Sequence, residues 1–534
     1  MVKDKFLRGA LILTVAGLMV KIIGAVNRIL LSRLLGGEGI GLYQMAYPVY
    51  LLMVSVSSAG IPIAISIIVA EKAAKSDFAG ANRVFRVSLT LMAATGLVFA
   101  TALYFAAEFL VASDIIRDER AYFALVALTP AVFFATILAS FRGYFQGFQM
   151  MKPPAVSQIL EQFVRVVAML VLAFFLLPKG LEYAAAGAAF GAVPGSVTGL
   201  FVLCFFYIGY RRQQRQKLAA ESGAPAESVR EIAVRLIRLA LPVSAANMMM
   251  PVVTGIDMLI VPGRLETAGY AVEKATTLFG YFAGMGLPLV MLATIPTASL
   301  AASLVPAISE AHALQRADLA AKKSLTAIRL CLLFTLPAAV GLAVLAEPIA
   351  RLLYGTVKAA PSIAHLAPSI CLLGLHQVTT GMLQGMNMAM IPMFNMVASA
   401  LVKTYLVWSW TALPEFGIIG AAWATNVNFG LAAILNLLFL FRYPAFAFPW
   451  KKALKIAGAA ALMGLYLFYA RDLLLLSVQG NSLRTLAAVF SGAALYFALL
   501  VISGGITASE VARLPWLGPK LLVFLKNAKI IREE

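Results

Sequence analysis

The sequence predicts an all-α polytopic membrane protein, and three observations predict it. Of 534 residues, 61% are apolar and 13% are charged, where a soluble domain carries about 25% charged residues. The apolar residues gather in long runs, and ~20 of them make a helix that crosses a bilayer. Lysine and arginine collect in alternate loops, the signature of positive-inside orientation. A soluble multi-domain enzyme is excluded, and so is a disordered chain, which would be polar. The formal charge of +19 fits basic loops beside anionic lipid rather than nucleic acid.

Fourteen runs qualify as spans, beginning near Ala10, Tyr43, Val84, Ala121, Ala155, Ala184, Leu239, Thr276, Ile328, Ala364, Ile391, Gly417, Ala453 and Leu486. The first is too long for a signal-peptide core and carries Lys21 at its centre. With the N-terminus inside, inner segments hold 29 of the 43 Lys and Arg and outer segments 11. The other cations, Lys21, Arg165 and Lys403, fall within spans. An even number of spans then puts both termini in the cytoplasm.

The organisation follows. Residues 1–210 form an N-lobe of six spans. The basic loop 211–238 carries Arg211, Arg212, Arg215 and Lys217, then Glu221-Ser222-Gly223-Ala224-Pro225. Residues 239–445 form a C-lobe of six more, 446–505 hold spans 13 and 14, and 506–534 form a cytoplasmic tail. Leu, Val and Phe mixed with Lys520, Lys526 and Lys529 make that tail an amphipathic surface helix or a solvated end.

The lobes repeat. At an offset of 238, Gln146, Gly147 and Pro154 meet Gln384, Gly385 and Pro392, and Arg165 meets Lys403. Pro62, Ala64, Ser66, Glu71 and Asp77 are echoed by Pro306, Ala307, Ser309, Glu310 and Asp318. The Gly-Ala-Ala at Gly187 returns at Gly420. Six spans per repeat is an even number, so the lobes share one orientation, related by an axis along the membrane normal. Alternating-access carriers use that arrangement, with substrate between the lobes. Spans 13 and 14 are additions.

Charges inside spans cost roughly 2.5–3.5 kcal/mol each at the centre, so they face a cavity or a partner. Lys21 lies mid-span, and Arg28 lies two turns further on the same face. Arg28 faces the cavity or snorkels to the outer interface. Span 5 carries Gln158, Glu161, Gln162 and Arg165 at i, i+3, i+4 and i+7, a polar stripe that lipid cannot satisfy. Glu161 and Arg165 either line a cavity or neutralise each other. Lys403 has Ser399 at i−4 instead of an acid, and is the freer cation. Asp257 with Thr254 and Asn247, and Asn426 on span 12, are candidates for a coupling ion or for an interface salt bridge. Four cations against two acids favour an anionic substrate. Cys204, Cys331 and Cys371 lie in apolar runs without metal spacing, and there are three His. No catalytic set, metal site or cofactor is expected.

The residues also carry a resemblance. Arg142-Gly143-Tyr144-Phe145-Gln146-Gly147, with Met151, Pro154, Ser157-Gln158, Glu161-Gln162 and Arg165, resembles the signature of the stage V sporulation protein B group. So do Gly36-Gly37-Glu38-Gly39-Ile40-Gly41-Leu42-Tyr43, Gly60-Ile61-Pro62, Tyr183–Gly187 and Leu304–Glu310. That group belongs to the multidrug/oligosaccharidyl-lipid/polysaccharide exporter superfamily and is related to the lipid II flippases. The resemblance implies two six-helix lobes about a V-shaped cavity. It also implies flipping of a lipid-linked saccharide for peptidoglycan, spore cortex or polysaccharide synthesis. Spans 13 and 14 would then hold the lipid tail. Lys21 matches the first cavity arginine of the flippases, Asn27 stands at the second, and span 2 is apolar over Leu51–Val54. Lipid II and another polyprenyl-pyrophosphate sugar therefore both stay open, as do sodium, protons and the membrane potential as the drive.

A multidrug or cation antiporter of the same superfamily is the alternative, against which the cation excess counts. An integral-membrane polyprenyl-phosphate glycosyltransferase would need carboxylates or His on sizeable loops. The expected partners are a lipid-linked oligosaccharide and membrane lipids, with no nucleic acid and a monomeric chain.

Overall fold

The computed structural model describes residues 2–58, 60–213, 227–443, 446, 448–477 and 480–505; the side chains of 2–11, 242–243, 245–247, 249–250 and 472–477 are not among those described. Every regular element in the described residues is helical. Lipid offers the backbone no hydrogen bonds, and a helix satisfies its own.

The first elements are α1 (Val2–Ser58), α2 (Ile61–Ala74), α3 (Phe78–Ala112), α4 (Tyr122–Gly147), α5 (Lys152–Leu176), α6 (Leu181–Phe190) and α7 (Ala192–Gln213). Next come α8 (Val229–Asn247), α9 (Met249–Thr267) and α10 (Val272–Phe279), then a π-helical segment Gly280–Gly286. They are followed by α11 (Leu287–Ala293), α12 (Ile295–Ala313), α13 (Ala317–Val344), α14 (Ala346–Tyr354) and α15 (Ala360–Leu366). The last are α16 (Pro368–Gly385), α17 (Met390–Trp410), α18 (Ile418–Leu440), α19 (Trp450–Ser477) and α20 (Asn481–Ile502). The sequence signals sit at the ends. Asp77 caps α3 by accepting from the Gly80 N–H at 2.7 Å. Ser228 and Glu231 form a capping box on α8. Pro153 and Pro154 open α5.

Among the described residues, twelve segments are long and apolar enough to cross a membrane, and the chain is a multi-pass membrane protein. The sequence marks fourteen runs. Part of the difference lies in Ile12–Ala74, 63 residues counted as one segment, long enough for two crossings. It is interrupted at Gly36 (φ 66°, ψ −171°), a left-handed turn that favours glycine. The rest lies in α8 and α9, which are divided at Met248 and are not among the twelve.

By contact the chain forms two units, Met1–Gly284 and Met285–Glu534. The sequence places its boundary earlier, in the 211–238 loop, whose residues 214–226 lie outside those described, as does the tail from 506. Side-chain and backbone contacts explain why α8–α10 group with the first unit. Arg235 of α8 pairs with Glu71 of α2, and Lys72 pairs with Glu227 at 2.8 Å. A Cβ on Gly280 would stand 1.9 Å from the Gly37 carbonyl oxygen, so α1 and this segment touch backbone to backbone. The core of the first unit gathers Ile65, Ile68, Phe85, Phe141, Phe145, Leu203 and Leu236. That of the second gathers Ile308, Ile328, Met382, Ile456, Met463 and Leu467, so α19 and α20 pack on α13 and its neighbours. All three cysteines are free thiols.

The repeat returns as geometry. Gln149 and Asn387, 238 apart, both take left-handed backbone (φ 56° and 62°). Each closes the same turn: Gln149 N–H to Gln146 O and Met150 N–H to Phe145 O, then Asn387 to Gln384 and Met388 to Leu383. A Cβ on Gly143 would meet the Pro62 oxygen at 2.5 Å, and one on Gly381 the Ala301 oxygen at 2.8 Å. Gly147 faces Ser66 and Val69 as Gly385 faces Val305 and Ile308. These contacts pair Pro62 with Ala301, five residues before the Pro306 of the sequence echo. Prolines can be matched by eye, whereas the packing register is set by glycines on the facing helix.

Candidate anion-binding site

Glu161 stands at the centre of the first unit's polar cluster. Arg142 Nη2 donates to Glu161 Oε2 at 2.6 Å, and Arg165 Nη2 donates to Glu161 Oε1 at 2.6 Å. The carboxylate is 14% exposed, and the two guanidinium groups are 21% and 16% exposed. Such a pair of bonds to one carboxylate is strong because all partners are charged. The helices make room for it. A Cβ on Gly195 of α7 would lie 2.8 Å from Arg165 Cβ, and one on Gly199 3.3 Å from Glu161 Oε2. Only glycines let α7 press on α5 at this level.

The cluster continues onto α1. Tyr50 of α1 is a close electrostatic neighbour of Arg165. Tyr50, Tyr47 and Tyr43 follow in a row, Tyr50 tilted against Tyr47 with ring centroids 5.7 Å apart and Tyr47 stacked on Tyr43 at 5.2 Å. Arg28 lies over the last two rings, 5.5 Å from Tyr47 and 5.8 Å from Tyr43, a cation–π arrangement. Its Nη1 donates to Gln44 Oε1 at 2.8 Å, and Gln44 Nε2 donates to Ala283 O at 2.9 Å. An unbroken chain of guanidinium groups and rings thus runs Arg28, Tyr43, Tyr47, Tyr50, Arg165, Glu161, Arg142. It holds three cations against one acid, which suits an anion.

The structure brings Glu161, Arg165 and Arg28 into this chain. Lys21 is exposed on α1, one turn before Gly24, whose Cβ position lies 3.4 Å from Gln162. Gln158 is half-buried on α5. Lys403 belongs to the second unit and is 2% exposed. Asp257 is buried in the first unit. Thr254 turns its hydroxyl onto Pro251 O at 3.0 Å in its own helix. Asn426 is in the second unit, where its amide donates to His365 O at 2.7 Å and accepts from Ser369 at 2.5 Å. The side chain of Asn247 lies outside those described. No metal-type group of three His, Cys, Asp or Glu occurs among the described residues.

Arg142 is the residue that the sequence ranks wrongly. It counts there as a loop cation, yet α4 runs on to Gly147 and turns it onto Glu161. The tyrosines had a signal, since Tyr43, Tyr47 and Tyr50 recur at i, i+4 and i+7.

A second ionic cluster lies at one end of this unit. Arg120 grips Asp118 with Nε at 2.9 Å and Nη2 at 2.8 Å, and reaches Glu38 with Nη1 at 2.7 Å. Thr276 donates to Asp118 Oδ2 at 2.7 Å. Burial works to raise the Asp118 pKa, but the hydrogen bonds from Arg120 and Thr276 outweigh it and hold the carboxyl below the usual carboxylate range.

The chain is similar to known proteins over nearly its whole length. The family profile described as "Polysaccharide biosynthesis protein" matches residues 6–312. Stage V sporulation protein B of Bacillus subtilis (strain 168) is 31% identical over 519 residues, 97% of this chain and 99% of that protein. Lipid II flippase MurJ of the same organism is 25% identical over 483 residues, 86% of this chain and 88% of that one. Among solved structures, lipid II flippase MurJ in an inward closed conformation gives a TM-score of 0.68 at 15% identity, covering 92% of this chain and 98% of that chain. An inward-facing multidrug resistance transporter of the MATE family also gives 0.68, at 18% identity, with 80% and 95% covered. These two likenesses show the fold alone.

Proposed function

The chain belongs to the polysaccharide biosynthesis protein family, and we propose that within it the chain flips a lipid-linked saccharide across the bacterial cytoplasmic membrane. The observation that carries this is the pair Arg142 and Arg165 on one acid, with Arg28 at the other end of the tyrosine row, set among membrane helices. A pyrophosphate cannot enter hydrocarbon unpaired, because desolvating it costs many kcal/mol. Held guanidinium groups replace its water and hydrogen-bond its oxygens. The Glu161 carboxylate keeps the two arginines apart and oriented, so a substrate meets separated donors and can leave again. An organic cation would meet the wrong sign, which counts against multidrug export. Lipid II and other polyprenyl-pyrophosphate sugars share the group that this chemistry reads.

Lys21 and Lys403 are further substrate cations in this proposal, acting through the same charge complementarity. The drive is sodium, protons or membrane potential, with Asp257 as the acid nearest in kind to a coupling site. Fourteen spans and cytoplasmic termini follow from the loop charges.

The test is flipping of a polyprenyl-pyrophosphate sugar in proteoliposomes. Lys21→Ala and Lys403→Ala should each abolish it while leaving the protein folded and inserted, and Lys403→Arg should keep part of it. Normal flipping by both alanine variants makes these two lysines structural. Rescue of cells depleted of their lipid II flippase would identify lipid II as the sugar carried.

A further inference from the structure

The loop charges assign the segments around Arg351, Arg471 and Arg484 to the outer, cation-poor side, and these three arginines share one cavity of the second unit. Arg351 of α14, Arg471 of α19 and Arg484 of α20 line a cavity of about 270 Å³ with Glu347, Asn481 and Thr485. These six residues lie far along the chain from the Arg142–Glu161–Arg165 cluster, in the other unit. We propose that this cavity binds the phosphate of a membrane lipid headgroup in the outer leaflet.

Charge is the first reason. The lining named here carries three guanidinium groups against one carboxylate, and like charges held together favour an oxyanion among them. Guanidinium forks match phosphate oxygens better than any other side chain. Place is the second. Helix α20 begins at the cavity, so its first N–H groups and the positive end of its dipole add to the same field. Its start is pinned to α14: Asn481 Nδ2 donates to Pro348 O at 3.2 Å, and Thr485 Oγ1, which donates to Asn481 O at 2.7 Å, lies 3.4 Å from the same Pro348 oxygen. Arg471 is steadied against the Phe468 ring, 4.7 Å from its centroid. The site is therefore built from anchored elements.

Shape is the third reason, and it separates a lipid from a free anion. Beyond the cavity, α20 exposes Leu483, Leu486 and Phe490, and α19 exposes Phe468 and Tyr469. An acyl or prenyl chain attached to the phosphate would lie along these apolar faces. The ligand that satisfies both parts is an amphiphile with an anionic phosphate head.

The experiment uses the full chain, stripped of lipid in neutral detergent. The probes are short-chain phosphatidylglycerol, the matching diacylglycerol and inorganic phosphate, read by native mass spectrometry and thermal unfolding. Phosphatidylglycerol should bind and raise the unfolding midpoint, diacylglycerol should not, and millimolar phosphate should compete. R351Q/R484Q should weaken phosphatidylglycerol at least tenfold, and R351K/R484K should weaken it less. Equal retention of diacylglycerol, or wild-type affinity in the glutamine variant, would overturn the site. Binding of inorganic phosphate without phosphatidylglycerol would overturn the lipid and leave a free anion. Should the glutamine variant not fold, unchanged affinity in the lysine variant together with no competition by phosphate would overturn the proposal.

Discussion

The turns α4–α5 and α16–α17 are built alike, and they bury different chemistry. In the first, the polar positions are Arg142, Ser157, Glu161 and Arg165. At the same places 238 residues on stand Thr380, Asn395, Ser399 and Lys403. The first set is an ionic triad. The second is neutral apart from Lys403, and an amide joins it: Asn395 Nδ2 donates to Asn436 Oδ1 at 2.8 Å, and Asn436 Nδ2 reaches Thr379 at 3.1 Å and Thr380 at 3.2 Å. Backbone register is shared, while the Arg–Glu–Arg pairing of the first copy has no equivalent among the matching positions of the second. A neutral amide set is satisfied within the protein and asks for nothing. The first set spreads its positive charge over two guanidinium groups bridged by Glu161, whereas the second holds it on Lys403 alone.

The sharpest way to break this comparison is Glu161→Ala set against Ser399→Ala. Removing one partner of a buried ionic cluster leaves uncompensated charge and costs about 3–5 kcal/mol. Buried Ser399 donates to Met396 O in its own helix, at 2.9 Å, and losing that bond should cost about 1 kcal/mol. Thermal unfolding in one detergent measures both. Similar losses at the two sites would mean that the triad is not ionic in the membrane.

The neutral copy is tested by Asn436→Ala. It deletes an acceptor for Asn395 and donors for Thr379 and Thr380, at about 1–3 kcal/mol for the buried groups left over. The loss should be the same at pH 5 and pH 8, because no amide or hydroxyl titrates there. A pH-dependent loss would show a hidden ionisable partner.

How much of this was legible follows from where each partner lies in the chain. The spans, the polar stripe Gln158–Arg165 and the Gln-Gly…Pro repeat are local patterns, and periodicity reveals them. The Arg142–Glu161 bond joins residues 19 apart, on two helices, and no period links them. Glu38, Asp118 and Thr276 lie in three separated stretches, so their cluster had no sequence signal. Gly36 shows only as part of a glycine-rich motif, yet it marks where one long helix changes direction. The partition into units was hidden because it depends on Arg235, Glu227 and Gly280 reaching back across more than 150 residues.

A smaller effect concerns acid. The ionic clusters of the first unit should give its stability a pH dependence that the neutral copy lacks. The folded pKa of Asp118 is depressed. Its contribution is therefore complete above the unfolded aspartate value, about 3.9, and is lost as pH falls through the lower folded value. Asp118→Asn should remove that acid-side slope and leave the curve above pH 5 parallel to wild type. An unchanged slope below pH 4 would assign the acid sensitivity elsewhere.

The smallest effect tests the repeat itself, through a pair of positions exchanged between copies. In the first unit Gly96 of α3 faces Thr136 of α4, a Cβ on the glycine lying 3.1 Å from Thr136 Cβ. In the second, α13 supplies the threonine and α16 the glycine: a Cβ on Gly374 would lie 2.8 Å from Thr335 Cγ2. The bulky member has changed sides, 239 residues on for one helix and 238 for the other, and the space between the helices is filled once either way. Gly374→Ala should therefore destabilise by about 1–3 kcal/mol through overpacking. Thr335→Gly alone should cost about 1 kcal/mol from lost helix propensity and packing. Together they should cost less than their sum, with a coupling of at least about 0.5 kcal/mol. Relief will be incomplete, since Cys331 Sγ and Thr297 Cγ2 also stand 3.2 and 3.3 Å from the new Cβ. Strict additivity would mean that the two residues do not share one packing slot, and that the exchange between copies is coincidence.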